Sequence, residues 1–285
     1  MLQLAFILVV LSGLLNATWN LFTKRSKDKV VFLWLLHAIA AVVYMPAFLY
    51  GLFTAGVAAE GIGVIAVSFL FHAAYISLLA KTYTIGDLSQ VYPLMRGIGA
   101  MLVPIIGVVF LGEHVAVVGW MGIAILLAGI FIQSRNGKAA PLGSAAGGML
   151  PVLFACGIGL CITGYTIVDK LAVQHISPLA LIQLQHLAYI LALGWKALRS
   201  GNMRSEWSIN WKTILIGSVI APGSYLLFLF AMSLGEVAKL GPIRESGIVF
   251  GTLFGILFLK EKQGLMRIVG AVMITAGVVL LRIWG

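Results

Sequence analysis

The chain of 285 residues is 61% hydrophobic and only 10% charged, and its mean hydropathy of +1.07 excludes an ordinary soluble domain. The net charge of +10 does not indicate a nucleic-acid partner, because the basic residues flank long apolar runs instead of forming a soluble basic face. Runs of ~20 apolar residues are long enough to cross ~30 Å of hydrocarbon as helices. Composition therefore predicts an all-α polytopic protein of the cytoplasmic (inner) membrane, surrounded by the lipid bilayer.

Ten transmembrane helices are predicted in chain order, near residues 2–22, 30–53, 61–83, 88–111, 115–133, 145–170, 178–198, 211–234, 237–259 and 264–284. The polar segment 134–144 is the predicted linker between a first five-helix repeat (1–133) and a second (145–285). Because each repeat has an odd number of helices, the second enters the membrane in the opposite sense, which predicts inverted-topology repeats. Basic residues concentrate in loops 1–2, 5–6, 7–8 and 9–10, so these loops are predicted to be cytoplasmic and both termini to lie outside the cytoplasm.

Two arginines interrupt the apolar runs at equivalent positions of the two repeats. Arg96 and Arg244 are 148 positions apart, and the same shift relates further matching residues without any insertion or deletion. Ionisable groups at membrane depth are functional candidates. Guanidinium groups suit carboxylate, phosphate or phosphonate, which predicts a pair of anion anchors. The alternative is structural, with Arg244 paired to an acid and Arg96 bonded to backbone carbonyls.

Prolines predict interruptions in the two helices that carry the arginines. Pro93 and Pro104 lie in span four and Pro242 in span nine, and each removes a backbone hydrogen bond. We expect these spans to be kinked or locally unwound. Interrupted segments at corresponding positions of two repeats indicate a transporter's binding site.

Glu245 is, by sequence, the only carboxylate well inside a span. It is a candidate proton carrier, a counter-ion, or a ligand for a substrate ammonium group. An intimate pair with Arg244 is not favoured, because adjacent helical residues do not face each other. Glu113 and Glu261 instead open the following spans and are predicted to cap helix N-termini.

Further polar and aromatic candidates for a substrate site are scattered over several spans: Asn16, Trp19, His72, Tyr75, Tyr92, Tyr165 and Tyr225. The tyrosines suit an amphipathic cavity wall, and His72 joins Glu245 as a proton-coupling candidate. The alternative is that such residues serve as interhelical hydrogen-bond partners. The glycines of spans five and ten are predicted to allow close helix packing.

Catalytic chemistry is not predicted. The sequence shows no nucleophile–base–orienter set, no metal-ligand spacing and no nucleotide-binding glycine loop. We therefore expect no enzyme activity, no catalytic residue, no cofactor and no metal.

Two repeated segments carry a family resemblance. Each repeat has a Gly-x-x-Phe-Leu-x-Glu ending, Gly107 to Glu113 and Gly255 to Glu261, followed by a helix with glycines seven residues apart. Over its whole length the chain resembles the drug/metabolite transporter superfamily, of the EamA type. Tyr92 to Gly97 and Pro242 to Glu245 resemble a subset associated with phosphonate utilisation. The resemblance implies gradient-coupled movement of small metabolites through a cavity lined by spans one, three, four, six, eight and nine. It also implies cytoplasmic termini, whereas the loop charges place the termini outside.

The predicted function is secondary transport of a small anionic or zwitterionic metabolite, such as an amino acid, organic acid or phosphonate, by alternating access. Its expected partners are the substrate and protons, and it is expected to act as a monomer or a homodimer. The alternatives are a proton-coupled exporter of cationic or quaternary-amine compounds and a membrane-embedded enzyme or lipid flippase.

Overall fold

A computed structural model describes residues 2–85, 88–134, 149–259 and 264–285, with side chains at 3–82, 94–133, 149–257 and 264–285. Regular structure within these ranges is helical, apart from one 3-10 turn at Ala59–Gly61 and a single β-bridge between Val57 and Ile176. The helices are α1 (Leu2–Arg25), α2 (Lys29–Val43), α3 (Met45–Ala55), α4 (Ile62–Ile85), α5 (Leu88–Leu111), α6 (Val117–Ser134), α7 (Leu150–Ala172), α8 (Pro178–Arg199), α9 (Met203–Leu234), α10 (Val237–Ile243), α11 (Ser246–Leu259) and α12 (Leu265–Trp284).

The helices are those of a polytopic membrane protein. Among the described residues, eight spans are long and apolar enough to cross a membrane, one of them formed by α10 and α11 together. The α2–α3 pair is bent by 50° and would form a ninth, whereas α6 is shorter than a full span. The all-helical membrane architecture is thus confirmed, but the predicted count of ten is not. The longest helix, α9, begins at Met203, earlier than the predicted residue 211.

Two predicted spans are broken, each in only one of the repeats. Span two divides between α2 and α3, where Pro46 lies in the first turn of α3. Span nine divides between α10 and α11, just after Pro242, as its sequence predicts. Span four is one uninterrupted helix, α5, despite Pro93 and Pro104, so the interruption predicted there is absent.

Each helix of one repeat has a counterpart 148 positions away in the other repeat. When every helix is replaced by its counterpart, the list of packed helix pairs stays the same. The pair α1–α9 corresponds to α4–α7, the pair α5–α7 to α1–α11, and the pair α4–α8 to α2–α9. The pairs α2–α8, α5–α10 and α6–α12 map onto themselves. Buried apolar side chains line these contacts, while outward-facing side chains such as Phe53 and Leu191 are exposed. Most of the predicted linker lies outside the described residues, so the repeat boundaries stay a prediction.

Glycines let α6 and α12 approach closely, as predicted. A Cβ atom on Gly122 would lie 2.8 Å from the carbonyl oxygen of Gly277, and one on Gly129 would lie 2.8 Å from that of Gly270. Any side chain at these positions would clash with the facing backbone. Because the earlier residue of one helix faces the later residue of the other, the two helices run antiparallel.

Glu113 and Lys170 bind helix termini at one end of the bundle, which we call the capped end. Both carboxylate oxygens of Glu113 accept backbone N–H groups at the start of α10, from Val237 (2.9 Å) and Ala238 (2.7 Å). The predicted capping role is confirmed, but the capped helix is α10 and not α6, the span that follows Glu113. Gly112 explains the difference, because its left-handed φ of 66° ends α5 and turns the chain there. The corresponding prediction for Glu261 lies outside the described residues.

Lys170 lies near the same end and is not a loop charge. Its ammonium group donates to the carbonyls of Met232 (2.6 Å) and Gly235 (2.7 Å), which terminate α9. By sequence, Lys170 is one of the few basic residues on the side opposite the loops predicted to be cytoplasmic. Because it is engaged within the protein, it carries little weight as a marker of membrane orientation.

Glu236, between α9 and α10, adds a further contact at the capped end. Its carboxylate lies 2.8 Å from Lys239 Nζ and accepts the backbone N–H of His114 at 3.1 Å. Burial alone would raise the pKa of Glu236, but these hydrogen bonds outweigh burial and lower the pKa below its usual value.

Candidate functional site

Arg244 and Glu245 occupy the break between α10 and α11. Pro242 has no N–H to donate, α10 ends one residue later at Ile243, and Arg244 and Glu245 lie between the helices instead of continuing one. Both side chains are buried within the bundle. Helix α1 passes close to this break, since a Cβ atom on Gly13 would lie 2.9 Å from the backbone nitrogen of Gly247. The break therefore presents two adjacent charged side chains to different neighbouring helices.

Glu245 pairs with the arginine of the other repeat. Its Oε2 accepts a hydrogen bond of 2.8 Å from Nε of Arg96, on α5, and both side chains are buried. This agrees with the expectation that Glu245 does not pair with its neighbour, Arg244. The structural alternative assigned the acid to Arg244 and backbone carbonyls to Arg96, but here the acid pairs with Arg96. The pair places opposite charges together, which offsets part of the cost of removing both from water.

Arg244 has a different environment. Its Nε donates to the hydroxyl of Ser12 on α1 at 3.2 Å. The centre of its guanidinium group lies 4.9 Å from the ring centre of Tyr225 and 4.6 Å from that of Phe228. Aromatic faces attract such a cation. Within the part of the chain that the structure describes, no carboxylate lies at ion-pair distance from Arg244.

A second buried carboxylate, Asp169 of α7, corrects the expectation that Glu245 is the only one inside a span. Asp169 has no exposed surface. Ser68 donates its hydroxyl hydrogen to Oδ1, Tyr225 donates to Oδ2, and Nε2 of His72 lies 2.9 Å from Oδ2. The predicted span six ends at residue 170, which places Asp169 next to a helix end by sequence. Its spacing of four from Tyr165, on the same helix face, is a sequence signal that could have indicated an interior position.

Aromatic rings link Asp169 and Arg244 into one network. The ring of His72 stacks on that of Tyr165 with centres 4.4 Å apart, and Tyr75 packs against Tyr165 at 5.5 Å. Tyr165 also packs edge-on against Tyr225 at 5.7 Å. Tyr225 thus donates to Asp169 and also offers its ring face to Arg244. These contacts bring four of the predicted aromatic and histidine residues to one place.

Three predicted site residues are not placed in this network. Asn16 and Trp19 bond to each other along α1, with indole Nε1 to Oδ1 at 3.1 Å. Tyr92 lies outside the described side chains. A separate pair of buried histidines, His37 and His186, has its Nδ1 atoms 3.3 Å apart. No group of three or more histidine, cysteine or acidic side chains within the described residues is arranged to hold a metal ion.

A family model matches most of the second half of the chain. Residues 149–283 match the model described as "EamA-like transporter family". This part of the chain is therefore similar to the EamA-like transporter family. The matched range contains α7 to α12, and so includes Asp169, Tyr225, Arg244 and Glu245.

Curated relatives of this EamA-like chain match over part of their length. An "Uncharacterized transporter in cobO 3'region" from Sinorhizobium sp is 34% identical over 75 residues, which are 26% of this chain and 53% of that protein. A "Putative sugar uptake protein" from Lactiplantibacillus plantarum is 26% identical over 192 residues, 66% of this chain and 65% of that protein. The matches thus span between about half and two thirds of the relatives' length.

The fold of the EamA-like chain is also found in a solved structure. A chain titled "Crystal structure of protein" superposes with a TM-score of 0.75 over 99% of both chains, at 15% sequence identity. At this identity, the likeness shows a shared fold over the whole length and nothing about the substrate.

Proposed function

We propose that this EamA-like chain is a secondary transporter for a small anionic or zwitterionic metabolite, with Arg244 as the anchor for the anionic group. The observation that carries the proposal is a buried arginine without a carboxylate partner among the described residues, at a break in a helix of the bundle. Burying an unpaired charge is costly. An anion bound beside Arg244 would offset this cost by supplying the missing negative charge.

The geometry of Arg244 suits an anionic ligand. Among the described contacts, its only hydrogen bond is from Nε to Ser12. Both terminal nitrogens are therefore available to form the paired hydrogen bonds that carboxylates and phosphates accept. The Tyr225 and Phe228 rings hold the guanidinium group from the side, which limits its conformations before a ligand arrives.

Transport by alternating access is supported by the exchanged packing of the two halves and by the family. Inverted repeats that pack with exchanged partners have two related arrangements, one open to each side of the membrane. The family model is named for transporters, and the relatives are named for transport and for sugar uptake. Helices α1, α4, α5, α7, α9 and the α10–α11 break contribute the side chains that contact the arginines and Asp169, which supports a central binding site between the repeats.

The alternatives fit the site less well. A cationic substrate would meet two buried arginines, and Glu245, the acid that would attract it, already pairs with Arg96. An enzyme of the serine hydrolase type would need a histidine between a serine and an acid. Here Asp169 lies between Ser68 and His72 instead, so the histidine is not positioned to activate the hydroxyl.

A ligand-binding experiment tests the anion site. Purified protein is heated with increasing inorganic phosphate, methylphosphonate, succinate, glutamate, glucose or choline, because a ligand that binds the folded state raises the melting temperature. We expect at least one anion to stabilise the wild type and to lose this effect in Arg244→Met. The matched control is Arg282→Met, since Arg282 also contacts a ring, that of Phe6, but lies in the last turn of α12.

The outcomes separate the hypotheses. Stabilisation by choline alone would favour the cation exporter, and stabilisation by glucose alone would favour a sugar. Anion binding that survives Arg244→Met would remove this residue as the anchor. Uptake of the stabilising compound into proteoliposomes then distinguishes a transporter from a protein that only binds it.

A further inference from the structure

Asp169 and His72 form a buried acid–histidine pair enclosed by polar and aromatic groups. Oδ1 of Asp169 accepts from Ser68, while Oδ2 accepts from Tyr225 and faces Nε2 of His72. The titratable or charged groups around the pair are Tyr165 on α7, Tyr189 and His186 on α8, His37 on α2, Tyr225 on α9, Arg96 on α5, and Arg244 and Glu245 at the α10–α11 break. The neighbouring Lys170 is directed to the end of α9.

The hydrogen bonds at His72 allow it to gain a proton with no more rearrangement than a rotation of one neighbouring hydroxyl group. Its Nδ1 lies 3.3 Å from the hydroxyl of Tyr189, and that hydroxyl oxygen already accepts from Nε2 of Gln185 at 2.9 Å. When the imidazole is neutral with Nε2–H toward Asp169, Tyr189 can donate to Nδ1. When Nδ1 carries a proton, the Tyr189 hydroxyl rotates and its oxygen accepts. Both states keep every polar group of the pair satisfied.

Charge balance connects this pair to Arg244. Summed over the central bundle, the two positive charges of Arg96 and Arg244 equal the two negative charges of Glu245 and Asp169 when His72 is neutral, although no described carboxylate lies at ion-pair distance from Arg244. These four are the buried charged side chains of the central bundle within the described residues. The remaining one, Glu206, lies in the first turn of α9 and bonds to Asp28 and Asn210. An anion bound at Arg244 would therefore add one uncompensated negative charge to a region of low dielectric, where that is costly.

We propose that His72, held by Asp169, carries the proton that accompanies an anion bound at Arg244, so that anion and proton cross the membrane together without net charge. The inference rests on the proposed anion site and adds the coupling ion and its residues. Tyr225 joins the two sites, since its hydroxyl donates to Asp169 and its ring lies against Arg244. The proton arrives at Nδ1 of His72 when the anion binds and leaves from the same atom when the anion is released.

The first part of the test follows the protonation of His72 directly. Protein labelled with nitrogen-15 histidine is titrated by NMR between about pH 5 and pH 8, the range in which histidine changes charge. We expect one signal to titrate and to disappear in His72→Asn. Asp169→Asn should remove its titration within this range, because the acid no longer stabilises the imidazolium ion. Glu206→Gln is the control, a buried carboxylate away from the pair, and should leave it unchanged.

The second part measures the link to the anion. Proton and anion affinities that are coupled must change by the same factor. With saturating inorganic phosphate, methylphosphonate, succinate or glutamate, we expect at least one of them to increase the proton affinity of His72 about tenfold. Arg244→Met should abolish this increase while the titration of His72 persists. Tyr189→Phe, which keeps the ring but removes the oxygen facing Nδ1, should reduce the increase in a protein that still folds.

The outcomes keep the two proposals apart. Anion stabilisation in the thermal experiment with no change in the proton affinity of His72 overturns the coupling and leaves the anion site standing. An increase that survives Arg244→Met also overturns the coupling. Absence of binding by all four anions overturns both proposals, even where the signal of His72 still titrates.

Discussion

Arg96 and Arg244 occupy equivalent positions in the two repeats but have different partners. Arg96 lies on an uninterrupted helix and bonds to a buried carboxylate at 2.8 Å. Arg244 lies at a helix break and contacts a serine hydroxyl and two aromatic rings. The difference begins with one residue, because Glu245 follows Arg244 whereas glycine follows Arg96. Through the exchanged packing of the repeats, the acid of the second copy neutralises the arginine of the first.

The comparison shows how a duplicated site acquires two roles. Two identical anion anchors would leave two unpaired positive charges in the bundle. A single acid neutralises one of them and leaves the other for a ligand. The neutralised arginine thus supports the structure, while the remaining one is the better candidate for binding, and three predictions test this division.

The largest effect is expected from removing the paired arginine. Arg96→Ala leaves Glu245 buried without this partner, which should reduce the free energy of unfolding by about 3–5 kcal/mol. Arg244→Ala removes mainly cation–π contacts and should reduce it by about 0.5–2 kcal/mol. Unfolding of each variant in mixed micelles by increasing sodium dodecyl sulfate measures both values. The double variant Arg96→Ala/Glu245→Ala should recover part of the loss. Equal losses for the two single variants would contradict the division of roles.

A smaller effect is expected when the acid itself is neutralised. Glu245→Gln removes the charge that balances Arg96 and should reduce the free energy of unfolding by about 1.5–3 kcal/mol, the contribution of a hydrogen bond to a charged group. Inorganic phosphate should then stabilise the variant more than the wild type, because a second arginine lacks its acid. Melting temperatures at increasing phosphate concentration measure this, with Glu206→Gln as the control. An identical response of variant and wild type would argue against it.

The smallest effect is expected at the α6–α12 contact, where the two repeats should respond alike to equivalent substitutions. Gly122→Ala and Gly270→Ala place equivalent methyl groups against the backbone of the facing helix. Each should reduce the free energy of unfolding by a similar amount, about 1–3 kcal/mol, through overpacking. Gly251→Ala is the control, because a Cβ atom there meets nothing within 4 Å, and alanine is favoured over glycine in a helix by about 1 kcal/mol. A loss confined to one of the two glycines would show that the repeats differ here as well.

Several features could be predicted from local sequence. The length of the apolar runs indicates helices that cross a membrane, and the spacing of the glycines predicts close packing of α6 and α12, though not that they pack against each other. Pro242 predicts the break in span nine, because a missing N–H acts locally. Pro104 shows the limit of this reasoning, since α5 continues through it. The capping role of Glu113 was also foreseen, but the capped helix, α10, depends on a turn at Gly112 and on contacts between the repeats.

The sequence by itself determined the helical membrane class, the duplication and the positions of the two arginines, because hydrophobic length, internal similarity and a charge in an apolar run are properties of neighbouring residues. Only the tertiary structure decided which acid meets which arginine, and it alone revealed Asp169 as a buried acid beside His72 and Tyr225. Those contacts join side chains from different helices, often more than fifty residues apart. Such pairings follow from how the helices pack, since the orientation of a side chain is set by its neighbours in space.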